Sequence, residues 1–473
     1  MKFAVSIFTI LLAVVGTLVF MQYQVYSDQT EEMKDGFVYS QEIEVEYREN
    51  SLDVRHHFKN LPEGEIKIDW PATAVDVECF LENENSCKRL NDSKTKFIAG
   101  ENGSQSVSYV IPLKDGLQSG QLQKDVFTLL EKGKVRFTTI HITTPTDITG
   151  SFVTGLPLIG YQQLALVNYS MFSGAGDIQD LYWQKYNFNF LITRDEYSLY
   201  SNSSVTAAEQ AELKALKTIS DDHISIVKVQ NTPKQQGHRI VFVDTTNSNT
   251  IYRELTLQQL EQMYTFVKTP SWLKQVVASV LVKEDIGFAK SKEVLTVLRS
   301  ELDEEQLVQF TDKLQALEGS ELSPTILDET LSEVLGVYTK YLSLNVDAET
   351  VYPFVYNDKR AIFVNGKQKK QLHILLKDNT VYYPAEELLK SLGYKTTEGA
   401  NGYYVNAPNR SYRFPANEHL FYVFNERRFN ISTTPFIEIG NVRYIEEAFA
   451  GRVFNFDIDK NEETIELTTT NEQ

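Results

Sequence analysis

FVYSQEIEVEYRENSLDVRHHFKNLPEGEIKIDWP, residues 37–71, alternates apolar and polar side chains and breaks the alternation with turn residues. Ile43, Val45 and Tyr47 stand between Glu42, Glu44 and Glu46; Glu49-Asn50 turns; Leu52, Val54 and His56 resume; and the turn from Leu61 to Gly64 leads into Ile66, Ile68 and Trp70. A period of two puts successive side chains on opposite faces of a strand, so the stretch predicts a three-stranded antiparallel meander with one buried face. Strand signals continue at Lys96 to Ile98, at Ser106 to Pro112 and through VRFTTIHIT at 135–143. A β-sandwich-like domain is expected over 37–145.

On the amino-terminal side lies FAVSIFTILLAVVGTLVFM, residues 3–21, without a charge. It reaches the roughly 18–20 residues that a helix needs to cross a bilayer. Lys2 precedes it and the mainly acidic SDQTEEMKD follows, which predicts a signal-anchor transmembrane helix at 1–26 with the rest of the chain outside the cell membrane. A cleaved secretory signal is the alternative, and the large side chains of VFMQYQVYS suit a signal peptidase poorly.

The chain has 473 residues, 42% of them hydrophobic and 12% aromatic, enough for two to four packed domains. Its formal net charge of −18 argues against nucleic acid as a partner, because phosphates call for a basic surface. Cys79 and Cys87 are the two cysteines, with the turn-prone ENENS between β-prone flanks, and a disulfide is expected in an oxidising compartment. His56 and His57 are neighbours on a strand, point to opposite faces and would not share a metal.

Residues 146–345 predict a mixed α/β domain. Gly-punctuated aromatic strands come first, then the helix formers of SSVTAAEQAELKALK and the buried-type strand HRIVFVDTT. After 254 the segment is mainly helical, with an apolar residue every three or four positions and Ser271 as a candidate cap. Within it PSWLKQVVASV, 270–280, is faintly similar to the Trp-Leu-x-Glu-Gly helix of thermolysin-like aminopeptidases, with Gln275 where the glutamate would be. That stretch is read as a packed amphipathic helix.

The carboxy-terminal part, 351–470, carries an internal repeat. NTVYYPAEELLKSLGY at 379–394 runs turn, strand, helix and glycine, and GNVRYIEEAFAG at 440–451 repeats the order. Val381 matches Val442, Tyr383 matches Tyr444 and Gly393 matches Gly451 at offsets of roughly 60 residues, and Ile445 stands where the first copy has Pro384. With VNGK at 364–367, these residues resemble the copper amine oxidase N-terminal-like domain, or stalk domain, of exported Gram-positive bacterial proteins. The resemblance implies a folded extracytoplasmic module that helps with spacing or attachment at the cell envelope. It implies no copper, since that domain is not the catalytic part of the oxidase.

Motifs for chemistry are sparse. There is no HExxH, no G-x-S-x-G elbow and no Walker A sequence, and no cofactor is expected. Ser271 and Lys274 fit S-x-x-K, as a serine one helical turn from a lysine, but K-T-G is missing and the same short pattern recurs at Ser93 to Lys96. Tyr182, Trp183, Tyr186, Phe188 and Phe190, and Tyr403, Tyr404, Tyr412 and Phe414, would stack on sugars if exposed and pack as core if not. The sequence therefore reads as an α+β multidomain, single-pass extracytoplasmic protein with a binding or scaffolding role at the bacterial cell envelope, its partner a cell-wall glycan or an envelope protein. The rival is a cell-envelope hydrolase using Ser271 and Lys274, and the non-enzymatic role is favoured.

Overall fold

Alternation in the opening strands sets up a sheet with one apolar and one charged face. The computed structural model describes residues 36–80, 87–100, 102–229, 235–416 and 420–470. The chain forms two compact units, Met1–Gln259 and Leu260–Gln473.

In the first unit, β1 (Phe37–Arg48), β2 (Ser51–Lys59), β3 (Val75–Phe80), β4 (Gln105–Pro112), β5 (Gly133–Pro145), β6 (Leu158–Gln163) and β7 (Val167–Ala175) make one sheet. Their order across it is β6-β7-β5-β1-β2-β4-β3, with β1 parallel to β5 and its other neighbour antiparallel. Ile43, Val45, Leu52, Val54, Ile140, Ile142 and Phe172 leave its apolar face and meet Phe152, Leu181 and Trp183 from a three-stranded second layer. Farther along the same face, Tyr39, Phe58 and Val107 meet Ile66, Ile68, Phe97 and Leu130 of another small sheet. Glu42, Glu44 and Glu46 remain on the opposite face.

Two expectations change here. The third strand of the expected meander, Glu65–Asp69, pairs with Lys96–Ile98 and Leu129–Leu130, and β2 takes β4 as its neighbour. Burial of Ile66 and Ile68 over Phe58 and Phe97 rewards that departure from the large sheet. The fold class also changes, because 146–184 supplies β6, β7 and two strands of the second layer and so completes the sandwich. From Ile148 to Gly176 there is no charged residue, so no charge marks the solvent face of these strands in the sequence. Among the described residues strand outweighs helix, 40% to 22%.

β8 (Phe190–Thr193), β9 (Tyr197–Ser201), β10 (Ile224–Lys228) and β11 (Ile240–Val243) form a second sheet in that order, its last three strands parallel. The crossover from β9 to β10 carries α1 (Ala207–Lys214), started by a capping box of Thr206 and Glu209. Arg239, 1% exposed, donates to the carbonyl oxygens of His223, Ala175 and Asp177 and so ties the end of β7 to this sheet. Burial opposes ionisation of Asp177, but hydrogen bonds from His238 and Gln179 and the Arg239 charge hold its carboxyl well below the ordinary range.

α2 (Ser248–Met263) leads into the second unit, where α3 (Ser271–Val282), α4 (Ala289–Glu301), α5 (Glu304–Ala316), α6 (Pro324–Leu335) and α7 (Tyr341–Leu344) follow. The cap of α3 is Pro270, without a side-chain hydrogen bond, so Ser271 lies inside the helix. Beyond them, β12 (Thr380–Pro384) with α8 (Ala385–Ser391) and β13 (Val442–Glu446) with α9 (Glu447–Phe454) form the two copies of the repeat. β12 and β13 pair antiparallel and bury Tyr383 and Ile445 side by side.

The expected anchor at 1–26 lies outside the described residues, and among those described no helix is long and apolar enough to cross a membrane. The single-pass location and the membrane as partner are withdrawn on that finding.

Candidate functional site

α6 buries Leu327, Leu331 and Val334, and the helical period leaves Glu329 and Glu333 on its outer side. Asp328 points inward and accepts from the backbone N–H groups of Leu342 and Ser343, at 2.8 and 2.9 Å, which fixes α7 against α6. Gly336, with φ of 69°, ends α6 in a left-handed turn, and the chain returns through Val337 and Tyr338. Tyr338 then bridges to Asn357, whose N–H donates to its carbonyl at 2.7 Å.

This return leaves a groove of about 1080 Å³, lined among others by Glu301, Glu329, Glu333, Tyr338, Tyr356 and Asn357. Tyr356 donates its hydroxyl to Glu301 at 2.9 Å; burial and that carboxylate push its pKa up to about 12, so it stays a phenol. Asp358, also on the wall, is already bound by Arg360. Burial disfavours its charge, but the Arg360 hydrogen bonds outweigh that and hold the carboxyl below its ordinary value. Glu333 pairs with Lys313 at 2.7 Å, whereas Glu329 makes no ion pair among the described residues. The side-chain oxygen of Asn357 is buried without a donor. Lys359 and Lys340 sit 4.8 and 5.8 Å from the centre of the Tyr338 ring, so cations of the chain itself already occupy it. The groove therefore offers hydrogen-bond acceptors, negative charge and the Tyr356 ring.

A second concavity, about 600 Å³ on the charged face of the large sheet, is lined by Glu42, Glu44, Glu46, Arg48, Asp53 and Arg55. There Arg48 pairs with Glu46 and Asp53, Lys59 with Glu42, and Arg55 with Glu44. Its charges compensate one another as a solvated face does.

The residues singled out in the sequence fall elsewhere. Lys274 donates to Glu261 at 2.7 Å and lies over Phe266, and no hydrogen bond joins it to Ser271, so the S-x-x-K pair does not assemble. Gln275, 7% exposed, accepts from the Phe288 N–H at 3.1 Å and the Ser291 hydroxyl at 3.0 Å, which pins the start of α4 to α3. His56 is fully buried and bonds Gln41, while His57 faces the other way and bonds Ser106. Cys79 and Cys87 are joined, with Cα atoms 5.5 Å apart. Tyr182, Trp183, Tyr403, Tyr412 and Phe414 are buried, so cell-wall glycan as a partner is corrected: those rings are core, and only Tyr186 of the two clusters is widely exposed. Among the described residues no three His, Cys, Asp or Glu side chains are grouped to hold a metal ion. The groove went unseen because Glu301 and Tyr356 are 55 residues apart in sequence.

No family model matches the chain, and no curated protein matches it. Among solved structures it is similar to an M1 zinc metallopeptidase from Deinococcus radiodurans, at 13% identity and a TM-score of 0.41 over 68% of this chain and 96% of that one. A form of that enzyme bound to a Tyr-Ser-Ala substrate gives 12% identity and a TM-score of 0.43, over 68% and 95%. Legionella pneumophila aminopeptidase A gives 10% and 0.41, over 85% of this chain and 58% of that one. These similar structures are aminopeptidases. The expected scaffolding role at a cell envelope, with the labels of Gram-positive surface and stalk attachment, has no counterpart among the three structures named and is withdrawn.

Proposed function

We propose that this protein recognises a cationic peptide segment, presenting an ammonium or guanidinium group, in the groove of its second unit. The observation that carries this reading is the placement of Glu329, without an ion pair among the described residues, beside Glu301, Glu333 and the Tyr356 ring on one concavity. A guanidinium or ammonium supplies N–H donors to these carboxylates and a charge that can be set against the Tyr356 ring. The groove is wide and open enough for an extended ligand.

Calorimetric titration of the full chain with tri-arginine, beside the neutral tri-citrulline, tests this. Tri-arginine should bind, the neutral peptide should not, and Glu329→Gln should weaken binding by about tenfold, the cost of one charge-assisted hydrogen bond. Equal binding of the two peptides, or no effect of Glu329→Gln, would sink the reading. Mass spectrometry of the recovered peptide separates recognition, which leaves it intact, from hydrolysis.

A further inference from the structure

We infer that β6 and its hairpin tip, Leu158 to Leu166, form the docking edge for a second copy of this chain, two β6 strands pairing antiparallel about a two-fold axis at Tyr161. β6 is the last strand at one side of the seven-stranded sheet, so its outer backbone groups have no neighbour in the sheet. The hairpin pairing shows which groups these are. Leu164 N–H donates to Val167 at the turn, Gln162 faces Tyr169 and Gly160 faces Met171. Antiparallel pairs alternate between bonded and non-bonded, so Gln162 and Gly160 bond inward, while Tyr161 and Gln163 turn their N–H and C=O outward.

Apolar side chains are exposed on the same edge: Ile159 by 58%, Tyr161 by 45%, Leu164 by 45% and Leu166 by 84%. Two other edge strands carry the charges that discourage pairing, although β8 and β11, the edges of the four-stranded sheet, are uncharged like β6. β3, at the opposite side of this sheet, has Asp76 and Glu78, and Arg427–Asn430, at the edge of a five-stranded sheet, has Arg427 and Arg428. β6 has none, and the uncharged run extends from Ile148 to Gly176.

Charge selects the occupant. Two molecules that each carry −18 repel wherever their acidic surfaces meet, and an uncharged edge is where they can approach. A basic partner would need no such neutrality. The strand also complements itself: with Tyr161 opposite Tyr161 of the second copy, Gly160 meets Gln162 within the regular part of β6, Gly160 to Gln163, which a bulge at Ile159 separates from Leu158. A Cβ on Gly160 would touch nothing within 4 Å, which leaves room for that glutamine side chain. Such an isologous contact closes as a dimer and continues the sheet from one copy into the other.

Sedimentation velocity of the full chain over a range of concentrations, beside the double variant Ile159→Lys with Tyr161→Lys, is the first test. The unmodified chain should dimerise, and the variant should weaken dimerisation by about tenfold or more, since like charges then oppose across the pair. Cross-linking fixes the register. Under oxidised glutathione Tyr161→Cys should give a covalent dimer, and Gln162→Cys, which faces Gly160 of the other copy, should not. A monomer at all concentrations, a dimer indifferent to the two lysines, or equal cross-linking at both positions overturns the inference. Amide-exchange protection at Tyr161 and Gln163 that appears only with lipid vesicles or another protein, and not with rising chain concentration, assigns the edge to that occupant and overturns it too.

Discussion

Asp328 shows how a single carboxyl is set by its surroundings. Burial is the dominant influence and raises its pKa from an ordinary 3.8 to about 6, although the Leu342 and Ser343 N–H groups pull the other way. A carboxyl whose pKa is higher in the folded state holds its proton more tightly there than in the unfolded chain. Its contribution to stability is therefore complete below about pH 4 and lost as the pH rises through about 6. Two pKa units correspond to about 3 kcal/mol. Asp328→Asn should remove this dependence, so urea midpoints of the variant and the unmodified chain should diverge between pH 4 and pH 7; parallel curves would refute the assignment. Gln275 teaches a related lesson. Its position in PSWLKQ gave it a resemblance to a glutamate of aminopeptidases, yet its amide oxygen is occupied by Phe288 and Ser291. Residue type and spacing in the sequence say nothing of which partner reaches an atom first.

At the scale of elements, the repeat is present with a different register from the one that matching tyrosines suggests. Asp378-Asn379 and Gly440-Asn441 both turn with positive φ, β12 and β13 follow, and Gly393 and Asn455 both stand in left-handed conformations at the ends of α8 and α9. All these correspond at an offset of 62, so Tyr383 matches the equally buried Ile445, and Glu446 takes the place of Pro384. Gly451, by contrast, lies inside α9. Sequence identity misled because the core accepts either a tyrosine or an isoleucine at the buried position, while the turns dictate the phase. The two glycines should then respond in opposite ways. Gly393→Ala forces a side chain into φ of 92° and should cost about 1 kcal/mol. Gly451→Ala meets nothing closer than 3.5 Å and should stabilise by about 0.5–1 kcal/mol through helix propensity. Thermal midpoints of the two variants distinguish the registers, since a cap at Gly451 would make its alanine variant destabilising.

For the whole molecule the net charge of −18 is the governing quantity. Self-repulsion opposes compaction, and salt screens it by shortening the Debye length from about 30 Å at 0.01 M to about 8 Å at 0.15 M. The melting temperature of the full chain should therefore rise over that range of sodium chloride, while tri-arginine binding in the groove should weaken over it. A melting temperature that falls with salt would mean that attractive ion pairs outweigh the net charge.

The first two opening strands, the disulfide pair and the turn chemistry of the repeat are legible in the residue order, because each depends on neighbours a few positions away. The β6 edge and the groove are not. Glu301, Glu329, Tyr338 and Asn357 have no local pattern in common, and they meet because α6 stops at Gly336 and the returning chain bridges to Asn357. Likewise, nothing in the uncharged run 148–176 tells which of its strands is central and which is last. Pairing partners over long sequence separations are chosen by the burial they jointly achieve, and that sum exists only in the folded chain.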